Sequence, residues 1–576
     1  MGNTKLWNRR ESDRNGHRAA AALWGAVALS LLVLSGCSAD FYHKAADRET
    51  FSILYDKVNG VENVTEDSVA IDPPDPLDLT ELPEGGRGAG FLGKMASVER
   101  DARVLTLEEA LSTGIRHGRA YLDEKERVFL SALDLTLARH ELAPIFSGNG
   151  NAGWRSDKRT ATVQQGLGEL VATNTFSRTQ SVGYSQLYRT GARITTDFTQ
   201  DFLRFITGDR SVNDSALAVT LAQPLLRGAG TKVALEALTQ EERNVLYDLR
   251  DFANFRRDFI VDLVSDYYGV LRARDRVQNN WVAYQGFLEN IEREEALADE
   301  DRRTQTQLGQ LRQATLISER NWVDAVRNYQ AQLDRFKITL GIPVEERVVL
   351  EEAELLQLAV VDPDVTREQA VEIAMVTRPD LETARDVVDD AERRIKVAKN
   401  GLLPGLDVDV RYDVISNPGD NTPGLNFDRR TWTTGLDLDL PLDRKAERNT
   451  YRTRLVLLER AKRNRELAEE QVRLQIFDGW RAIEQARRNF EIAEQGVDLA
   501  ARRLEEQHLL AELGRGQARD LVDAQNDLVD AQNQRTSTLV DHTLARLRLW
   551  RDMGILYIDE SGGWEKKLER ESDLSL

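Results

Sequence analysis

Thr106-Leu107-Glu108-Glu109-Ala110 and Thr366-Arg367-Glu368-Gln369-Ala370 are two copies of one helix entrance, set 260 positions apart. At the same offset Ala138 matches Ala398, Leu142 matches Leu402 and Pro144 matches Pro404. Each copy opens on a threonine that can cap a helix and closes on a proline that stops it. A strand-like region follows, then a second proline, in Gln223-Pro224-Leu225 and Leu440-Pro441-Leu442. The first region, Pro144 to Pro224, is roughly twice as long as the second, Pro404 to Pro441. A very long helical stretch then runs to Leu340-Gly341-Ile342 or Met553-Gly554-Ile555. Order and spacing recur together, so the chain reads as a tandem duplication.

The long stretches must pair along their length. Ile476, Ile483, Phe490, Val497 and Leu504 recur every seven residues, with Gly479, Ala486, Ala493 and Ala500 on the adjoining seam. This is an a/d stripe, and its small residues let helices approach closely. After Gly514-Arg515-Gly516 the pattern resumes at Leu521, Ala524, Leu528 and Ala531. The spacing predicts a helix from about 444 to 512, near 100 Å long at 1.5 Å per residue, returning as a helix over 517–553. The returning helix covers half of it; the helix predicted over 366–403 covers the rest. The first copy gives the same sum: 106–143 plus about 307–340 against 232–299. Gly309 and Gly514 are the expected hairpin turns, because glycine permits the backbone geometry.

Between the prolines the period changes to two. Leu406, Val408 and Val410 alternate with Asp407, Asp409 and Arg411; Leu436, Leu438, Leu440 and Leu442 alternate with Asp437, Asp439, Pro441 and Asp443. Leu217, Val219 and Leu221 do the same, and Ala192, Ile194, Thr196, Phe198 and Phe202 share one strand face. One apolar and one polar face fit a barrel with lipid outside and water inside. Tyr184, Tyr188, Phe202, Tyr412 and Trp432 are candidate interfacial aromatics. One chain brings too few strands to encircle a pore, so copies must complete it. The extra residues between Asp157 and Asp214 are expected as a surface hairpin.

Of 576 residues 30% are charged, the net charge is −19 and the mean hydropathy is −0.47. That balance excludes a general nucleic-acid binder. Arg9, Arg10, Arg14 and Arg18 precede an apolar run, Ala19 to Leu34, too short for a membrane span. Leu34-Ser35-Gly36-Cys37 then has the form of a lipobox, with cleavage before Cys37 and lipidation of its thiol; an ordinary signal peptide with an incidental cysteine is the alternative. Cys37 is the only cysteine, so no internal disulfide forms. The expected division is a signal peptide over 1–36, an extended tether over 37–101 partly docked on the body, repeat one over 102–343, a linker over 344–361, repeat two over 362–558 and a charged tail over 559–576.

The order lipobox, helix, proline, strands, Gln223-Pro224-Leu225-Leu226-Arg227-Gly228, long helix, tip, helix, Leu-Gly, then the unit again, resembles the TolC-type outer-membrane factor family, in its lipoprotein branch. The most specific stretch is Leu513-Gly514-Arg515-Gly516-Gln517-Ala518-Arg519-Asp520-Leu521-Val522-Asp523-Ala524-Gln525, which is similar to the family's periplasmic tip. The resemblance implies a mainly α fold with membrane β: two tandem helical coiled-coil hairpins, and strands given to a trimeric transmembrane β-barrel. It implies a homotrimer in outer-membrane lipid, opened by a periplasmic adaptor and fed by an inner-membrane pump. It also implies that Asp520 and Asp523 ring the entrance, where clustered carboxylates attract cations; solvated heptad faces are the alternative reading. Gly309, Gly514, Arg515 and Gly516 are the implied tips and adaptor contacts. Thr315 departs from the pattern, standing where an aspartate is common.

No GxSxG, HExxH or P-loop motif occurs, and Gly148-Asn149-Gly150-Asn151-Ala152-Gly153 follows a helix and leads to a strand, the reverse of a dinucleotide site. The six histidines form no ligand spacing. Neither catalysis, metal nor cofactor is expected. The rival reading is a periplasmic coiled-coil scaffold without a pore.

Overall fold

The computed structural model describes residues 38–71, 75–85, 89–161, 169–205, 211–299, 305–361, 363–417, 424–513, 515–559 and 562–566. The signal segment, Cys37, Gly514 and most of the charged tail lie outside the described residues.

The two helix entrances are built alike. Thr106 accepts from Glu109 N and Glu109 reaches back to Thr106 N; Thr366 and Gln369 do the same. These capping boxes open α2 (Leu107–His117) and α8 (Arg367–Thr377). The single helix expected in each repeat is in fact two. α2 breaks at Gly118 before α3 (Arg119–His140), and α8 breaks at Arg378 before α9 (Pro379–Asn400). Gly118 and Arg378 are 260 apart, so the break belongs to the duplicated unit. Pro379 takes the first helical position, where its missing N–H costs nothing.

The long helices match the expected lengths closely. α10 is Lys445–Glu512 and α11 is Ala518–Met553. Repeat one has a short α4 (Thr231–Ala234), then α5 (Glu236–Asp299) and α6 (Gln305–Leu340). Both α11 and the α8–α9 pair pack along α10. Ile476, Ile483, Ala486, Ala493 and Ala500 are buried in that seam, as the heptads require. α6 and α11 end on left-handed glycines, Gly341 (φ 79°) and Gly554 (φ 75°). A Cβ on Gly341 would run into the His117 carbonyl, and one on Gly554 would lie 3.0 Å from Thr377 Oγ1. Each long-helix end is thus seated under the break in its own repeat's short helix.

Two kinds of seam join the repeats. Towards the sheet, α5 meets α9 through Arg250–Asp386 (2.6 Å), Arg243–Asp390 (3.0 Å) and Arg393–Glu236 (2.7 Å), with Tyr247 Oη donating to Asp390 (2.8 Å). Further along, α5 meets α11 through a more exposed, mixed set: Asn279 donates to Asn533 (3.0 Å), Thr536 to Asp275 (2.8 Å), and Arg272 to Ser537 (3.1 Å) and Asp541 (3.4 Å).

Six strands form one antiparallel sheet, β2 (Ile145–Ala161), β3 (Glu169–Leu187), β4 (Arg193–Phe205), β5 (Ser211–Pro224), β7 (Gly405–Ile415) and β8 (Asn426–Asp439), in the order β2-β3-β4-β5-β7-β8. A separate short pair, β1 (Arg103–Leu105) and β6 (Val348–Leu350), runs parallel. The stretch between Asp157 and Asp214, expected as a surface hairpin, supplies all of β3 and β4, and both are paired within the sheet. Leu440 and Leu442 lie beyond the end of β8.

The segment before β1 corrects the expectation of an extended tether. It holds α1 (Ala39–Val58), whose Ile53, Leu54 and Val58 are buried. Glu99, also buried, accepts from Arg274 (2.8 and 3.0 Å) and from Tyr329 Oη (2.7 Å), pinning the segment to α5 and α6. Burial, then the adjacent Glu99 carboxylate, push the Tyr329 hydroxyl well above its ordinary value, so it stays a donor. The expected linker over 344–361 is also folded, carrying β6 and α7 (Ala353–Leu356).

Candidate functional site

Three surfaces carry the chemistry: a sheet face, a set of helix stripes and a tip. The sheet registers put one apolar set on one side. Phe146 of β2 pairs with Tyr184, which pairs with Thr196, Val219, Tyr412 and Trp432 in turn. The next level runs Gly148, Val182, Phe198, Leu217, Val414. The opposite side carries Asn149, Ser181, Thr199 and Ala216 in register, with Asp197, Asp409, Asp413 and Asp437. Trp432 and Leu436 are 66% and 67% exposed although large and apolar. Tyr412 and Trp432 pack ring on ring at 4.5 Å, one pair of the expected aromatics. Among the described residues no helix is long and apolar enough to cross a membrane; the strands are the elements whose patterning suits lipid.

The helices leave apolar residues bare at heptad spacing. Leu130 and Leu137, Leu316 and Val323, Leu467 and Leu474, and Ile492 and Leu499 are all exposed. Each pair is seven apart, a stripe awaiting another helix. The sequence reading passed over this signal, because a second stripe is visible only once the first is known to be buried.

At the tip, α10 ends at Glu512, and the N–H groups of Arg515 and Gly516 both donate to the Leu510 carbonyl at 2.9 Å. A Cβ on Gly516 would lie 2.9 Å from Ala511 N, so the turn closes on glycine. Arg515 is exposed and Gly516 is buried under the turn. Asp520 stands in the first turn of α11, where a carboxylate suits the helix N-terminus. Asp523, one turn on, lies 3.8 Å from Arg519. Both carboxylates are exposed and share a face, whereas Asp527 is ion-paired to Arg503 across the hairpin. No cluster suited to a metal occurs among the described residues.

The first tip differs. Gly309 lies inside α6, four residues past its start, in ordinary helical geometry, so the chain reverses before it and the expectation of a turn there fails. The helix pattern continues through a glycine at only about 1 kcal/mol relative to alanine, which the flanking Leu308 and Leu311, both buried, offset. Thr315 is buried and donates to the Leu311 carbonyl (3.0 Å), so this position does not present a polar group outwards. Behind the tip, Trp281, Tyr284 and Trp322 cluster, and Trp322 Nε1 donates to the Phe91 carbonyl at 2.8 Å.

Residues 370–553 match the family model for outer membrane efflux proteins. No curated protein matches the sequence. The fold is similar to that of the CmeC outer membrane channel of Campylobacter jejuni, at 14% identity and TM-score 0.57, covering 87% of this chain and 98% of that one. The VceC outer membrane protein of Vibrio cholerae (12% identity, TM-score 0.56) is covered to 96% by 78% of this chain. The MtrE outer membrane channel of Neisseria gonorrhoeae, in its open state (12%, TM-score 0.56), is covered to 88% by 78% of this chain. The second repeat is thus similar to the outer membrane efflux protein family over about a third of the chain, and the fold of the chain is that of these solved outer-membrane channels.

Proposed function

We propose that three copies of this chain form an exit duct through the outer membrane, receiving cargo from an inner-membrane pump through a periplasmic adaptor. The observation that carries this reading is the open sheet with one apolar face, continuous with helices whose exposed heptad stripes need neighbours. Unpaired strand edges are not tolerated in lipid, so copies close the ring. The bare stripes on α3, α6 and α10 then become interfaces around a helical tunnel. The aqueous path needs no catalytic group, and none is assigned.

Cys37 is the proposed lipid anchor, placed immediately before α1. Asp520 and Asp523 are the proposed acidic ring at the entrance, repeated three times around the axis. Gly514, Arg515 and Gly516 form the tip offered to the adaptor, with the first tip, near Gly309, beside it. The test is conductance in planar bilayers. The native trimer is expected to show small, rarely open steps with cation preference. Asp520→Ser with Asp523→Ser is expected to weaken that preference by several-fold and raise open time. Trimers that insert yet never conduct in either form would make the protein a scaffold instead.

A further inference from the structure

Repeat two places two strands between its helices; repeat one places four. We propose that all six strands enter the membrane ring, so that three copies close an eighteen-stranded barrel, with the β2 edge of one chain paired to the β8 edge of the next. This rests on the trimeric reading above and extends it to the calibre of the pore and the edges that meet.

Four observations carry it. First, the register is unbroken: β2 pairs β3 from Ile145–Ser185 to Ala161–Glu169, β3 pairs β4 from Leu187–Arg193 to Thr175–Phe205, and β4 pairs β5 from Arg193–Ala222 to Arg204–Ser211. Second, the additional strands keep the lipid-facing pattern over their helix-proximal halves, with Gln180, Gln200, Arg178 and Arg204 entering that side only beyond Val182 and Phe198. Phe146, Trp154 and Val182 are 74%, 63% and 59% exposed, and the registers put them on the side of Leu217 and Leu436. Their other side is small and polar, with Ser147, Asn149 and Asn151 on β2 and Ser177, Thr179 and Ser181 on β3. A ribbon standing in water would have no use for that division. Third, β2 follows α3 through four residues, so β2 is the strand that joins helix to sheet; it cannot leave alone without unpairing from β3, nor together with β3 without unpairing β3 from β4. Fourth, six is even. β2 and β8 run in opposite directions, are 17 and 14 residues long, and are largely exposed along their described lengths. The joint between copies is therefore antiparallel like every joint within one.

Barrel diameter grows roughly linearly with strand number. Eighteen strands give a mouth about one and a half times as wide as two strands per repeat would allow, in the range that leaves an open aqueous channel.

The experiment uses the full chain, with cysteines placed on the polar face. Asn149 (β2) and Thr199 (β4) lie level through Ser181. Asn149→Cys is combined with Thr431→Cys or Thr433→Cys of β8; the contrasting set combines Thr199→Cys with the same β8 positions. After oxidation in outer membranes, the β2–β8 sets are expected to run as covalent dimers and trimers on denaturing gels, and the β4–β8 sets as monomers. Linkage through β4–β8 would mean a twelve-stranded ring with β2 and β3 outside it, and would overturn the proposal. So would conducting trimers in which neither set links. A parent chain that neither trimerises nor conducts would instead remove the duct itself.

Discussion

Repeat one and repeat two share a topology but not a way of burying it. Repeat one fills its interior with large side chains: Tyr121, Phe252, Tyr267 and Phe336 are almost completely buried, and the segment from α1 to Glu99 closes over them. Repeat two has a smaller cluster without a fully buried aromatic, in which Ala370, Ala374, Ala486 and Ala545 stand among aliphatic residues such as Ile476, Ile483 and Leu549, and its longest helix, α10, keeps Leu467, Leu474, Ile492 and Leu499 bare. Repeat one thus finishes most of its packing within the chain. Repeat two leaves more of its apolar surface for a neighbour. The lesson is that duplication conserved the connections while the source of burial diverged.

The largest expected effect lies in the self-sufficient half. Phe252→Ala should cost about 3–5 kcal/mol, because it leaves a cavity that surrounding rings cannot fill; melting of the helical dichroism signal in detergent measures it. Leu474→Ser on α10 should leave the monomer within about 0.5 kcal/mol yet reduce the trimer recovered by size-exclusion chromatography. Equal destabilisation of the monomer by both would erase the contrast.

Next come the glycines under the helix breaks. Gly341→Ala and Gly554→Ala each force a left-handed residue with a Cβ, about 1–2 kcal/mol. Gly341→Ala should cost more, since its Cβ meets the His117 carbonyl rather than the Thr377 hydroxyl. The same melting measurement ranks them, and the reverse order would show that repeat one yields more easily than its packing implies.

The smallest effect is electrostatic. Burial alone would raise the Glu242 carboxyl, but hydrogen bonds and charges from Lys57 and Arg139 outweigh it and hold it below its ordinary value of 4.5. A carboxyl depressed in the folded state stabilises it above that ordinary value, and loses the contribution as pH falls through the lowered one. The protection factors of α1 amides, corrected for the intrinsic pH dependence of exchange, should therefore fall on acidification from about pH 5 towards 3. Glu242→Gln should exchange faster at neutral pH and show a flatter response; an unchanged pH profile would mean α1 is held by its apolar face alone.

Much of this was legible in the residues. The heptads placed α10 and α11 to within a residue, because a stripe that long admits one register. The helix breaks escaped the reading: both 106–143 and 366–403 were expected as single helices, because Gly118 alone passes for an interior glycine and Pro379 gains its meaning only from the matching break 260 residues earlier. α1 escaped notice because its charged sequence has little periodicity and its burial comes from α3. Of the strands in the longer region, β4 is visible in the alternation from Ala192 to Phe202, whereas β2 is not, since it is rich in glycine, serine and asparagine and only pairing with β3 assigns its faces. At the tip, Arg515 and Gly516 fall at the turn, whereas Gly309 misled because glycine is a turn signal only when the flanking residues do not fit a helix.

The seams between the repeats have unequal resistance to being pulled apart. Near the sheet, Asp390 and Arg250 are buried side chains at 4% and 5% exposure, and stripping either of its partner strands a charge away from water, at about 3–5 kcal/mol. Beyond it, Asn279, Asn533, Ser537 and Thr536 hold α5 to α11 through groups that water can satisfy, together with the half-exposed Arg272–Asp541 pair. Nearest the middle of the arms the same seam also buries Val540, Leu544 and Leu547 of α11 in one cluster with α5 side chains. The molecule is therefore riveted by buried charge at the sheet end and laced, further along its arms, by polar groups that exchange readily with water.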